Sequence, residues 1–281
     1  MLILLTGGTG LLGKSFLEQI TKINCSVFNI TRTDKASSES NGLASIRDIR
    51  YDITSENYEL LDELPTPNYV IHFAWGGLPN FQSRHHLDIE FPAHKSFLQY
   101  WIKRGVKKVI VLGTCFEYGL VDGEVKEDAI CLPVTHYGTA KNTLHMALRD
   151  FIDTGNYESQ LVWLRVFYVK SEKSGIFAAL SNAIREGSKK FQMSQGQQIR
   201  DYLTPVQVAE KIELIMRTQN PATIYNVCSG KPRRLIDLVD EFRVEKLSAI
   251  ELELGVFGYL DYEPLEFWGS TANFDALLSE K

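Results

Sequence analysis

The first thirteen residues constrain this chain more than any other stretch. Met1-Leu2-Ile3-Leu4-Leu5 is a continuous apolar run, as in a strand buried on both faces of a parallel sheet, and it leads into Thr6-Gly7-Gly8-Thr9-Gly10-Leu11-Leu12-Gly13. Helical sequence follows from Lys14 to about Lys22. Glycines at 7, 10 and 13 allow a tight turn, close approach of a pyrophosphate to the backbone, and close helix–strand packing. The helix N-terminus beyond them offers the positive end of its dipole to phosphate. The spacing is G-x-x-G-x-x-G rather than G-x-G-x-x-G. Strand, glycine turn and helix in this order predict a dinucleotide-binding unit and an α/β fold.

The alternation continues. Strands are predicted at residues 26–30, 46–51, 69–74, 106–112 and 161–166. Helices are predicted at 57–64, from about 84 to 104 with Gly105 closing it, and from about 136 to 153. Residues 34–41 are polar and Ser-rich and read as a surface loop. Beyond about residue 170 the alternation weakens. A helix at 174–187 precedes a polar, hairpin-like stretch at 189–198, then a helix at 206–218, a strand at 224–227 and a helix at 235–247. The pattern predicts a doubly wound parallel sheet of the Rossmann kind over residues 1–169. A smaller, discontinuous substrate-binding region over 170–281 would lie on the sheet's carboxyl edge, with some segments returning to the Rossmann core.

Composition narrows the partners. With 281 residues, 44% hydrophobic and 23% charged, the chain has the make-up of a soluble globular protein with a substantial core. A net charge of -5 leaves no basic footprint for nucleic acid. Only five apolar residues precede the glycine turn, and no run approaches the ~18 of a membrane span. A cytoplasmic protein without membrane or nucleic-acid partners is expected. Cys25, Cys115, Cys131 and Cys228 are scattered without metal-ligand spacing, which predicts free thiols and no metal site. His85 and His86 are adjacent and read as solvated histidines.

Two places carry chemistry. Thr31 and Arg32 stand about twenty residues past the glycine turn, where an acidic residue would favour NAD. A hydroxyl and a guanidinium instead suit a 2′-phosphate, so NADP is favoured. Further on, Tyr137 and Lys141 lie four apart on one helix face. A phenol's ordinary pKa is roughly 10, and a fixed ammonium beside it lowers that value. The pair reads as an acid/base that can give a proton to a carbonyl oxygen or take one from an alcohol.

Together these features resemble the extended short-chain dehydrogenase/reductases, in the branch acting on nucleotide sugars. The resemblance covers nearly the whole chain. It rests on the glycine turn, Asp52-Ile53, His72-Phe73-Ala74, Thr114, Tyr137 with Lys141, Leu164-Arg165-Val166-Phe167 and Arg200-Asp201-Tyr202-Leu203. It implies that the backbone around Gly7, Thr9, Gly10, Leu11, Leu12 and Gly13 holds the pyrophosphate, and that Asp52 and Ile53 meet the adenine. Phe73 and Ala74 would line the cofactor. Lys141 would bind the nicotinamide ribose while tuning Tyr137, and Thr114 would bond the reacting oxygen. Arg200 would contact the substrate's diphosphate, the alternative being an ion pair with Asp201 or a neighbour. Tyr168 replaces the family's usual Asn in the sugar pocket. A homodimer through the helices at about 84–104 and 136–153 is also implied.

Departures from the pattern narrow the reaction. The family's 4,6-dehydratases follow the threonine with Asp-Glu, which carry water elimination, whereas this chain has Cys115-Phe116. Glu117 falls one place late, on the wrong side of a strand by the period of two. Cys115 reads as a buried small residue rather than a reactive thiol. The 4-epimerases retain NAD and carry an acidic residue after the second strand, against which Thr31-Arg32 argues. The expected activity is NADPH-dependent reduction of the C4 ketone of a nucleotide-diphospho-4-keto-6-deoxyhexose, dTDP-linked, for surface polysaccharide. The alternatives are a 4-epimerase with tightly bound NAD, a reductase of an unrelated ketone or aldehyde, and a non-catalytic NADP-binding sensor or scaffold.

Overall fold

The computed structural model describes residues 1–32, 42–55, 57–219 and 222–279, so the loop expected at 34–41 lies outside the described residues. β1 (Leu2–Thr6), α1 (Leu11–Ile20), β2 (Ser26–Thr31) and β3 (Ser45–Arg50) open the chain, followed by a short α2 (Glu59–Asp62) and β4 (Tyr69–His72). A π-helical turn, His86–Glu90, runs into α3 (Phe91–Lys103). Next come β5 (Lys108–Thr114), β6 (Gly123–Val125), α4 (His136–Gly155) and β7 (Gln160–Val166). β8 (Tyr168–Val169), α5 (Gly175–Arg185), β9 (Lys190–Gln192), β10 (Ile199–Arg200), β11 (Tyr202–Leu203) and α6 (Pro205–Arg217) follow. The chain finishes through β12 (Ile224–Val227), β13 (Arg233–Arg234), α7 (Leu235–Glu245), β14 (Glu251–Glu253), β15 (Glu266–Gly269) and α8 (Ala272–Ser279).

The central sheet has seven parallel strands in the order β12-β7-β5-β4-β1-β2-β3. The chain builds outward in both directions from the β1/β4 boundary, which opens a ligand crevice at the carboxyl ends there. Every residue of β5 is buried, as a strand covered on both faces requires. The period of two divides β1 between two cores. Ile3 and Leu5 pack with Phe16 and Ile20 of α1 and Ile212 and Ile215 of α6. Leu4 joins Phe97 and Trp101 of α3 and Leu144 and Leu148 of α4 on the other face.

Two strand ends matter for the site. β5 runs on to Thr114, beyond the expected residue 112, and β4 stops at His72, short of the expected 74. The early stop comes where the chain crosses over the glycine turn, since a Cβ on Gly7 would sit 2.7 Å from the Ala74 amide nitrogen. The stretch at 189–198 is not a hairpin. β9 pairs in parallel with β14, some sixty residues later, because Phe191 and Met193 bury in a satellite core with Phe177, Val239 and Phe242. That long-range partner leaves no trace in a short polar segment. β12 and α6 return to the central sheet. Among the described residues no helix is long and apolar enough to cross a membrane, and no group of side chains suits a metal. All four cysteines are free.

Candidate active site

The glycine turn forms one wall of a cleft. Gly7 has φ +73°, and a Cβ on Gly13 would lie 2.2 Å from the Gly7 carbonyl oxygen, so the turn closes only without side chains there. α1 begins at Leu11 with no side-chain cap and no acid in its first turn, which leaves its end amides open toward an anion. Gly7, Thr9 and Gly10 line the cleft from this side, facing Thr31 and Arg32 at the end of β2. Asp52 and Ile53 line it beyond β3, and Phe73 and Ala74 line it beyond β4. Asp52 Oδ1 accepts from the Thr54 amide at 3.0 Å and its hydroxyl at 2.8 Å, which fixes that rim. The open amides and the side-chain-free turn fit a dinucleotide. Of the predicted set, Leu12 lines the neighbouring cavity instead and Gly13 packs against the turn. Gly13→Ala is expected to cost about 1–3 kcal/mol of stability through overpacking. It should also weaken binding of a nicotinamide dinucleotide by at least about tenfold, one such factor being 1.4 kcal/mol; calorimetric titration and thermal melts check both.

A second cavity of about 650 Å³ adjoins the cleft where Phe73 and Trp75 line both. Thr114, at the end of β5, caps a 3₁₀ turn, Cys115–Glu117, by accepting from the Phe116 amide at 3.3 Å. α4 starts with Thr135 Oγ1 accepting from the Gly138 amide at 3.0 Å. A Cβ on Gly138 would stand 2.5 Å from the Phe116 carbonyl oxygen, so only glycine lets the first turn of α4 lie against the end of β5. That approach sets Tyr137 beside the Thr114 hydroxyl. The Tyr137 amide also donates to the Phe81 carbonyl at 3.0 Å, tying in the loop after β4.

Lys141 sits one turn further along α4, 2% exposed. Its Nζ donates to the Leu112 carbonyl at 2.7 Å and lies 3.9 Å from the centroid of the Trp75 ring. Burial pushes its pKa down to about 7, against the pull of Glu117 and Glu90. Burial pushes the Tyr137 phenol well above its ordinary value, and the bond with Thr114 opposes this only in part. The ammonium was expected to hold the phenol down. Sharing a helix face puts the two side chains close, but the longer one reaches past the phenol to a β5 carbonyl, and the two make no direct bond.

The residues after Thr114 differ from their expected setting. Glu117 lies on the 3₁₀ turn, not a strand, and is wholly buried in the core behind the site. It accepts from the Thr114 amide at 2.8 Å, Trp163 Nε1 at 2.9 Å and Arg165 Nε at 2.9 Å. Burial raises its carboxyl pKa, and the Arg165 guanidinium opposes the rise. Cys115 lines the cavity as a buried thiol whose pKa burial pushes up, so it is no thiolate.

Arg200 lines the far wall, 3% exposed, on β10. One terminal nitrogen donates to the Ile199 and Leu265 carbonyls at 2.9 and 3.0 Å. The other donates to Glu263 Oε2 at 3.0 Å and the Pro264 carbonyl at 2.7 Å. The Tyr168 hydroxyl donates to the same Glu263 oxygen at 3.2 Å. The ion-pair partner is therefore Glu263, not Asp201, whose carboxylate accepts from the Ser229 and Gly230 amides at 2.7 Å each.

A sequence profile of the NAD dependent epimerase/dehydratase family matches residues 3–228. The chain belongs to this family. A full-length relative is the dTDP-6-deoxy-L-talose 4-dehydrogenase (NAD(+)) of Aggregatibacter actinomycetemcomitans, 27% identical over 275 residues that span 96% of this chain and 100% of the relative. The UDP-glucuronic acid 4-epimerase of Bacillus cereus, solved with UDP-glucuronic acid and NAD, superposes with a TM-score of 0.82 at 18% identity, over 100% of this chain and 94% of that one. The UDP-glucose 4-epimerase of Thermotoga maritima, solved with UDP-glucose, gives 0.77 at 20% identity, over 95% and 90%. At these identities the structural likeness shows the shared fold.

This epimerase/dehydratase family member also carries a polar network that reading the sequence missed. His86 is buried, not solvated: Nδ1 accepts from Trp75 Nε1 at 3.1 Å, which leaves Nε2–H to donate to the Asn80 carbonyl at 2.9 Å. The π-helical turn makes the difference by turning His86 under Trp75, while His85, partly exposed, reaches Glu90 at 2.9 Å. Behind them Thr6 Oγ1 lies 2.9 Å from His72 Nδ1, His72 Nε2 lies 2.7 Å from His94 Nδ1, and His94 Nε2 lies 2.8 Å from Glu90 Oε2. Burial works to raise the Glu90 carboxyl, but bonds from His94, the Gly76 amide and His85 outweigh it and bring it to about 2. With Glu90 ionised, the hydrogen bonds run from Thr6 through both neutral histidines to the carboxylate. The one legible trace was the spacing of four between Glu90 and His94.

Proposed function

We propose that the protein is an NADPH-dependent 4-ketoreductase of a nucleotide-diphospho-4-keto-6-deoxyhexose, dTDP-linked, serving deoxysugar synthesis for surface polysaccharide. The observation that carries the reading is the convergence of Thr114, Tyr137 and Lys141 on a cavity joined to the dinucleotide cleft at Phe73 and Trp75. Cys115 and Phe116 lie beside them, where water elimination would need an acid and a base. The full-length relative supports the reading, since dehydrogenation at C4 of a dTDP-6-deoxyhexose is the same bond change in reverse.

A nicotinamide cofactor supplies the hydride when bound. Tyr137, a phenol protonated at neutral pH and held so the more firmly by burial, gives its phenolic proton to the C4 oxygen. Thr114 holds that oxygen, and Lys141 holds the cofactor's ribose while its charge favours the phenolate that forms. Hydride and proton must reach one carbonyl, so positioning supplies much of the acceleration. Asp52 and Ile53 meet the adenine, and Arg32, exposed at the cleft's edge, forks a 2′-phosphate. Arg200 and Tyr168 face the diphosphate side of the substrate. The reading includes a homodimer through the outer faces of the helices around Ile89 and Met146, both exposed.

The test is NADPH absorbance loss on adding dTDP-4-keto-6-deoxyglucose, with NADH in parallel. Consumption of NADPH at least about tenfold faster than NADH is expected. Preference for NADH, which the relative's NAD(+) favours, would remove Arg32 from cofactor choice and leave the reduction standing. Consumption of neither would sink the reductase in favour of a 4-epimerase, whose purified form would carry bound nicotinamide.

A further inference from the structure

We propose that Trp75 is a positioning residue for the catalytic lysine: its indole face holds the Lys141 ammonium charged and in place at the junction of the two cavities. Lys141 has three N–H donors, and among the described residues the Leu112 carbonyl, at 2.7 Å, is its one hydrogen-bond acceptor. A buried ammonium is costly unless the protein offers something in place of its water. The indole ring does, with its centroid 3.9 Å from Nζ, well inside the range of cation–π attraction.

The other groups around Lys141 do less. Glu117 and Glu90 act from a distance, the first paired with Arg165 and the second bonded to His94 and the Gly76 amide. His72, His86 and His94 are held neutral by burial and contribute no counter-charge, and Tyr137 is a neutral phenol.

Trp75 cannot drift from this post. Its Nε1–H is fixed on His86, which is fixed in turn on the Asn80 carbonyl. Its ring also stacks on His94, centroids 4.8 Å apart at 24°, and meets Tyr137 edge-on at 6.1 Å. The π-helical turn and the histidine network thus act through one indole on both members of the acid/base pair.

The kinetic test rests on the ketoreductase reading; the binding test does not need it. Trp75→Leu removes the π face and Trp75→Phe keeps a weaker one. Lys141 works protonated, so kcat/KM falls as pH rises through its pKa, and loss of the ring favours the neutral amine. In W75L the alkaline midpoint is expected to move down by about one pH unit, and in W75F by less than half as much. At saturating NADPH the fall should appear in kcat more than in the KM for the ketosugar. The pH dependence of NADPH affinity, read by fluorescence of the bound nucleotide, should move in parallel. A uniform loss with an unmoved midpoint, or equal shifts in both variants, would overturn the proposal. A wild type that turns over no ketosugar, with W75L and W75F still showing the graded shift in NADPH affinity, would sink the reductase and leave the role of Trp75 standing.

Discussion

Replacing Tyr137 by Phe should lower kcat by about 10²–10⁴-fold, the usual contribution of a positioned general acid. Affinity for the nicotinamide dinucleotide should stay within about twofold of wild type, since the ring's packing is retained and the cleft's walls come from other elements. The hydroxyl that is lost has one neighbouring hydroxyl, on Thr114, and that residue keeps its cap to the Phe116 amide. The stability cost should be about 1 kcal/mol, that of one buried hydrogen bond. Steady-state kinetics with a parallel binding titration decide the matter. A variant that retains more than a tenth of wild-type turnover would take Tyr137 out of the proton transfer.

Glu117→Ala should have the largest effect on stability, about 3–5 kcal/mol, as when one partner of a buried ion pair is removed. The change strands the Arg165 guanidinium, the Trp163 indole N–H and the Thr114 amide in the core behind the site. Replacing Glu117 and Arg165 together by Leu and Met should recover part of the loss, because no uncompensated charge is then left buried. Chemical denaturation measures both variants. Glu117 follows Thr114 closely enough to be mistaken for an acid/base residue, and the assay separates the two roles. A variant with unchanged stability and lost turnover would make Glu117 catalytic.

The two cases differ in how much of each was legible beforehand. Tyr137 and Lys141 could be paired from a spacing of four on a helix, and their convergence with Thr114 followed from the family pattern. That Lys141 bonds a β5 carbonyl and an indole rather than the phenol could not be read, because it depends on where α4 lies against β5. Glu117 was expected off the site for a reason of strand period that does not hold. The 3₁₀ turn that buries it is set by the Thr114 cap and by Arg165, forty-eight residues away.

The sequence by itself determined the parallel sheet, the glycine turn and the order of the helices. These rest on short-range regularities, namely apolar runs, a period of 3.6, and glycines where a Cβ would strike neighbouring backbone. It also placed Thr31, Arg32, Asp52 and Ile53 in one cleft, since residues at the carboxyl ends of adjacent parallel strands must lie together. Only the tertiary structure decided the partners of buried polar groups: Glu263 for Arg200, Arg165 for Glu117, His94 for Glu90, and Trp75 for Lys141. All these residues were present in the sequence, but three of the four pairs span more than forty residues. The physical reason is range. Backbone regularity repeats within a few residues, whereas a buried polar group takes whatever complementary atom the packing brings within about 3 Å, and chain separation does not enter that choice.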